Sequence, residues 1–252
     1  MSKIRFRFSR SLLSIPYALF LLVFVIVPLI LVIYFSFTDE NGKFTFDNVL
    51  NFFSDSTNID TLLISLLIGI ANTALCLIIG YPIAFIISRK ENKMSYALVL
   101  LFVMPMWINF VLRTGATRDL LTWIGLSGGD HPYITTMIGM VYNYLPFVIL
   151  PLYSTMIKMD NSLIEASMDL GANKVQTFIK TVIPMTMPGI ISAISMVFMP
   201  TMSSYVISDV MGERKISLIG NLIEVYFNQT MWNMGSFIAL IIMIFNFYWY
   251  VC

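Results

Sequence analysis

No constellation in this chain suits bond-making chemistry, and the polar residues that could do other work are gathered in one stretch, Ser162 to Pro188. It reads SLIEASMDLGANKVQTFIKTVIPMTMP and separates two long apolar runs. Ser162 followed three residues later by Glu165 has the form of a capping box that opens a short helix, and Gly171 stands where a left-handed cap would close it. Asn173 can cap a second helix, expected to stop before Pro184. Two short helices about a glycine hinge, set between membrane spans, form a docking element.

Other kinds of site find no support. His131 is the single histidine, beside Asp130 and Pro132, and has no second ligand at metal spacing. Cys76 lies inside an apolar run and Cys252 is the last residue, so no disulfide framework follows. No GxxxxGK[ST] loop occurs, and the only Gly-Lys pair is Gly42-Lys43. This chain therefore has no such site for ATP. An intramembrane protease would need Ser with His, or paired Asp, at bilayer depth, and neither pair is present.

The elements that must carry the polar stretch are apolar helices. With 58% hydrophobic and 12% charged residues, the 252-residue chain lies far from a soluble domain. Crossing the hydrocarbon takes about 20 apolar residues, and six runs qualify: residues 12–37, 61–88, 95–112, 133–157, 189–210 and 236–252. An all-α, six-span membrane protein is expected, a single domain with a loop at 158–188. The first run is too long for a signal core and no small-residue cleavage site follows it, so it is expected to be retained. The sixth has 17 residues and the chain stops at Val251-Cys252, so an ancestral chain is expected to have continued.

Charge sorts the loops. Ten basic residues (Lys3, Arg5, Arg7, Arg10, Arg89, Lys90, Lys93, Lys158, Lys174, Lys180) face four acids on one side; the other side holds five basic residues and ten acids. The basic side, with the amino terminus and the Glu165 loop, should be cytoplasmic. Pro28, Pro82, Pro105, Pro146, Pro151 and Pro200 each remove a backbone donor inside an apolar run, which predicts bent helices in a protein that rearranges. Gly69 and Gly80 would permit close helix approach.

The Ser162–Pro184 segment resembles the cytoplasmic "EAA" loop of ABC importer permeases, with Glu165, Ala166, Gly171 and Pro184 at matching positions. Ser167 replaces the second alanine of that pattern, Thr181 its isoleucine and Ile183 its leucine. The resemblance implies a type I binding-protein-dependent permease fold. It also implies that Glu165, Ala166, Ser167, Asp169, Gly171, Ala172 and Pro184 seat against an ATPase subunit. Asn72 to Leu75, Gly80 to Phe85, Met104 to Trp107 leading to Arg113, Leu170 to Ala172, and the Pro184/Pro188-Gly189 ending look like the spermidine/putrescine importer permeases, the first of their two membrane subunits. That implies a homologous second permease, an ATPase pair carrying ATP and Mg, an extracytoplasmic binding protein, and a place in the bacterial inner membrane. No cofactor is expected on this chain, and no nucleic-acid partner.

A polyamine is a flexible polycation, so its path should offer carboxylates and aromatic faces. Trp107, Tyr205 and Asp209 meet that description. The same scaffold could carry another small solute, such as an amino acid, sulfate, an iron chelate or an opine. A membrane enzyme or an assembly anchor is the distant alternative.

Overall fold

Residues 14–90 and 92–251 are described in a computed structural model. The basic amino-terminal tail, Glu91 and Cys252 lie outside the described residues. In chain order the helices are α1 (Ser14–Ser36), α2 (Asp47–Ser54), α3 (Ser56–Ser88), α4 (Asn92–Val103), α5 (Phe110–Trp123), α6 (Pro132–Met156), α7 (Ser162–Asp169), α8 (Lys174–Met185), α9 (Met187–Met202), α10 (Tyr205–Met211), α11 (Ile219–Asn228) and α12 (Trp232–Val251). Among the described residues the one extended pairing is an isolated antiparallel bridge between Thr38 and Phe44. The expected all-α class therefore holds.

The described chain divides into two compact units, one running to Ser56 and resuming at Ile223, the other spanning Thr57–Leu222. In the first, α1 contains a wide π turn at Leu22–Ile26 just before Pro28. A wide turn relieves the helix where proline lacks its N–H. Phe52 of α2 is buried and meets Phe237 of α12 edge-on, their centroids 5.8 Å apart. The turn leaving α1 is tied by two amides. Asn48 Nδ2 donates to the carbonyls of Ser36 at 3.0 Å and Thr38 at 3.1 Å, and Asn233 Nδ2 to those of Thr38 at 2.6 Å and Asp39 at 3.3 Å.

In the second unit the core lies along one face of α6, where Met140, Tyr144, Val148, Leu152 and Met156 recur every fourth residue and are buried. A period near 3.6 residues makes such a row one stripe of a helix. Ile68, Cys76, Tyr81 and Ala84 of α3 and Ala193 and Val197 of α9 belong to the same cluster. The two glycines of α3 allow close approach: a Cβ on Gly80 would stand 2.8 Å from Val148 Cγ1, and one on Gly69 3.0 Å from the Phe198 ring. Lipid is as apolar as leucine, so packing and hydrogen bonds between helices must hold such a bundle. Asn72 Nδ2 donates to Thr201 Oγ1 at 2.8 Å, and Ser95 Oγ to Tyr153 Oη at 2.9 Å.

Helices α1, α3 and α6 are each long and apolar enough to cross a membrane. The apolar run at 95–112 is not one straight helix. After α4 the chain makes a tight 3-10 turn at Met104–Trp107 containing Pro105, passes through extended Ile108, and enters α5, so that Lys93–Trp107 and Phe110–Trp123 lie at 97°. The break is stable because the Asn109 side chain accepts from the Val111 and Leu112 amides at 3.0 and 3.3 Å, satisfying donors that a helix start leaves open. A second bend of 69° separates Lys174–Met185 from Met187–Met202, between Pro184 and Pro188. The apolar run then breaks again at Ser203-Ser204, before α10. Pro82, Pro146, Pro151 and Pro200 sit inside continuous helices, so the sharp bends fall beside Pro105 and at the Pro184–Pro188 corner instead.

Candidate functional site

The polar element between α6 and α9 begins one step earlier than its sequence suggests. Asp160 Oδ1 accepts from the Ser162 amide at 2.9 Å, and Ser162 becomes the first residue inside α7, after an Asn161 cap that makes no side-chain bond. The expected Ser162–Glu165 capping box is therefore not formed. Hydrogen bonds from Ser162 hold the Asp160 carboxyl below the usual carboxylate range. Glu165 is left exposed in the first turn of α7 with no side-chain partner among the described residues.

The hinge is as expected. Gly171 has φ +89°, the left-handed region where glycine avoids the Cβ penalty. Its N–H donates to Met168 O at 2.9 Å while that of Ala172 donates to Ser167 O at 3.2 Å, the paired closure of a Schellman cap. Asp169 ends α7 in solvent, and Leu170, at the tip, is 89% exposed. On the far side Asn173 and Gln176 form a reciprocal capping box, side chain to backbone at 2.9 and 3.0 Å. The helix then runs past Pro184 to Met185, contrary to the expected stop. A π turn at Phe178–Val182 widens it just before the proline, which removes the usual clash of the ring with the preceding turn.

The two helices are braced together and tied to α3. Ser167 Oγ lies 3.2 Å from Thr177 Oγ1 and accepts from Thr181 Oγ1 at 3.2 Å. Phe178 stands edge-on to both Tyr81 and Phe85, with centroids at 5.5 and 5.7 Å. Tyr81 Oη also shares a 2.7 Å hydrogen bond with Thr186 Oγ1 at the corner before α9. The exposed element thus grips one long span through an aromatic bracket and another at its end. Sequence spacing missed Phe178, because its role depends on contacts with residues almost a hundred positions away.

Of the three path candidates, Tyr205 and Asp209 are brought together and Trp107 is not. Asn221 Nδ2 donates to the Asp209 carboxylate and to Tyr205 O at 3.4 Å, while its Oδ1 accepts from Ser208 Oγ and the Leu218 amide, each at 2.8 Å. Asn221 is a hub that the sequence signals only as a polar residue in an apolar segment. Trp107 ends the 3-10 turn before the 97° bend and is 78% exposed. A second polar cluster also escaped notice: Arg113, only 8% exposed, donates from Nε to Asn143 Oδ1 at 2.9 Å, with its guanidinium 5.7 Å from the Tyr142 ring centroid. Among the described residues no group of His, Cys, Asp or Glu could hold a metal ion, and His131 precedes α6 without a capping bond.

No protein-family model matches the chain. Its backbone superposes with a TM-score of 0.63, at 15% identity, on a bacterial ABC transporter involved in the import of the acidic polysaccharide alginate, covering 95% of this chain and 92% of that one. The alginate ABC transporter in complex with an alginate pentasaccharide-bound periplasmic protein gives the same score over 94% and 91%. The fold is that of an ABC importer permease. The spermidine/putrescine transport system permease protein PotB of Escherichia coli (strain K12) is 36% identical over 237 residues, covering 86% of each chain. PotB of Haemophilus influenzae is 34% identical over 258 residues, 93% of this chain and 88% of that protein; the homolog in Mycoplasma pneumoniae is 27% identical over 209 residues, 79% and 73%. The chain belongs to the family of these spermidine/putrescine transport permeases, and it is a membrane transport subunit, not an enzyme.

Proposed function

We propose that this chain carries spermidine and putrescine across a bacterial inner membrane, with its amino terminus and the α7–α8 element in the cytoplasm. The cargo assignment is supported by the 34–36% identity to PotB proteins over most of the chain. The coupling role rests on one observation: the α7–α8 element presents Glu165, Ala166, Asp169 and the Leu170 tip to solvent while gripping α3 through Phe178. The paired backbone bonds at Gly171 fix the turn at that tip, so the exposed element can meet a partner as one body.

In the complete importer a homologous second permease pairs with this chain. A pair of ABC ATPase subunits, which hold ATP and Mg, docks on the cytoplasmic elements, and an extracytoplasmic binding protein delivers cargo. ATP binding closes the ATPases and pushes Glu165, Ala166, Ser167, Asp169, Gly171 and Ala172 as one body. The Pro184 corner and the Phe178 bracket pass that motion to α9 and α3, which rock between inward-open and outward-open arrangements; hydrolysis resets them. Cargo passes Trp107, Tyr205 and Asp209, where aromatic faces and a carboxylate suit ammonium groups.

The test is radiolabelled spermidine uptake in cells lacking their own polyamine importer and expressing this chain with its three partners. Uptake is expected, and Glu165→Lys should abolish it while membrane levels stay the same. Normal uptake by the inserted variant would remove Glu165 from coupling, and competition by another solute class alone would remove the polyamine assignment.

A further inference from the structure

Where α1 ends, the chain turns through residues 37–46 into α2, and a cavity of about 630 Å³ opens among that turn, α2 and the start of α12. Its lining includes Asp39, Glu40 and Asp47 and the aromatic residues Tyr34 and Trp232, and among the described residues no lysine or arginine lines it, although the charge of Lys43 in the same turn reaches Asp39. Asp39 is committed to the turn, its Oδ1 accepting from the amides of Asn41 at 2.9 Å and Lys43 at 2.7 Å. Glu40 and Asp47 have no side-chain partner among the described residues. The wall is preorganised, because the amides of Asn48 and Asn233 hold the carbonyls of Thr38 and Asp39 in place.

Carboxylates around a void attract any cation, and two features separate the classes. A metal ion needs ligands converging on a point, and these acids form no such group. Exposed carboxylates and aromatic rings on the wall of one cavity suit the opposite case, charges spaced along a flexible alkyl chain, in which rings cover methylenes and face ammonium groups. The void is also of ligand-pocket size, far larger than a single ion requires.

We propose that this cavity is a receiving site for an alkyl polyammonium cargo, with Glu40 and Asp47 each taking an ammonium group and Tyr34 and Trp232 covering the chain between them. The proposal rests on the polyamine function argued above and adds a site apart from Trp107, Tyr205 and Asp209, none of which lines the cavity. The cavity lies where the chain leaves the carboxyl end of α1, a membrane-crossing helix.

The test measures binding of radiolabelled spermidine to the purified permease–ATPase complex in lipid nanodiscs without binding protein, beside uptake by the full system in cells. Loss of a close charge and of a cation–π face each weakens such a contact by several-fold. Glu40→Gln with Asp47→Asn should therefore weaken binding about ten-fold, and Trp232→Leu about three-fold. The charge-neutral pair should also flatten the dependence of binding on salt, and Trp232→Leu should leave it unchanged. Unchanged binding in the charge-neutral pair would overturn the site. So would normal spermidine binding combined with weaker attachment of the binding protein, which would make the cavity a docking surface. If the wild-type importer carries no polyamine, the functional assignment itself fails and this site falls with it; uptake by wild type with unaffected variants sinks the site alone.

Discussion

Thr181 Oγ1 donates to Ser167 Oγ at 3.2 Å across the two helices of the coupling element. These are two positions at which the segment departs from the EAA pattern, which has isoleucine and alanine there. The two departures meet in a hydrogen bond, with Thr177 Oγ1 as the third member 3.2 Å from the same oxygen. Breaking half of such a pair leaves a part-buried hydroxyl unpaired, whereas replacing both partners by apolar groups can be nearly neutral.

Ser167→Ala, which takes this partner from both threonine hydroxyls, should destabilise the complex by about 1 kcal/mol; Thr181→Ile, which leaves Ser167 its Thr177 contact, should cost less, and the double substitution should cost less than their sum. A double-mutant cycle on the thermal stability of the assembled importer measures this. Strict additivity would show that the two hydroxyls do not act together.

At Gly171 the expected effect is purely one of backbone. A Cβ there would meet nothing within 4 Å, so the penalty of Gly171→Ala is the roughly 1–2 kcal/mol of left-handed φ. Gly171→Asn should be better tolerated, since asparagine adopts that conformation more readily. ATPase retention by affinity-purified permease should rank Gly, Asn, Ala; a reversed order of Asn and Ala would mean that the turn does not set the docking geometry.

Phe178 joins the coupling element to α3, so its removal should separate hydrolysis from transport. Phe178→Ala is expected to cut uptake about ten-fold while the assembled complex still hydrolyses ATP, and Phe178→Leu to fall between the two. The stability loss should be near 3 kcal/mol, the lower part of the range for deleting a packed ring, because Phe178 is only half-buried. Equal loss of uptake and hydrolysis would assign the residue to folding or docking instead.

Asn221 makes four hydrogen bonds that hold Asp209, Tyr205, Ser208 and Leu218. Asn221→Leu should lower the melting temperature and reduce uptake, since it strands the buried Leu218 amide at about 1–3 kcal/mol, while Ser208 Oγ keeps the Ser204 and Tyr205 carbonyls. Asn221→Asp keeps both acceptor contacts but sets a second carboxylate against Asp209. It should therefore be worse for transport than for stability, and matching losses in the two assays would argue against a place for Asp209 in the path.

Local chemistry was legible where a few neighbouring residues decide the outcome. The Gly171 cap and the Asn173 cap follow from backbone rules that act over about five positions, and both are present. Ser162 failed as a cap because Asp160, two residues earlier, captured its amide first. The helix through Pro184 was hidden because a π turn upstream relieves the proline, and apolar composition does not announce such a turn. Hydropathy likewise runs unbroken through Met104–Leu112 while the backbone turns by 97°. Phe178, Arg113 and Asn221 required knowledge of partners on other helices, which no window along the chain contains.

The bend at Ile108-Asn109 also bears on how the chain is made. Beyond it, α5 carries Arg113, Arg118 and Asp119 within fourteen residues, too polar a segment to partition into lipid as it leaves the ribosome. Arg113 finds its amide partner only in Asn143, thirty residues later in synthesis. The burial of Arg113 is therefore complete only once α6 stands beside α5. Chain order alone thus leaves that arginine without its amide partner until thirty further residues have been made.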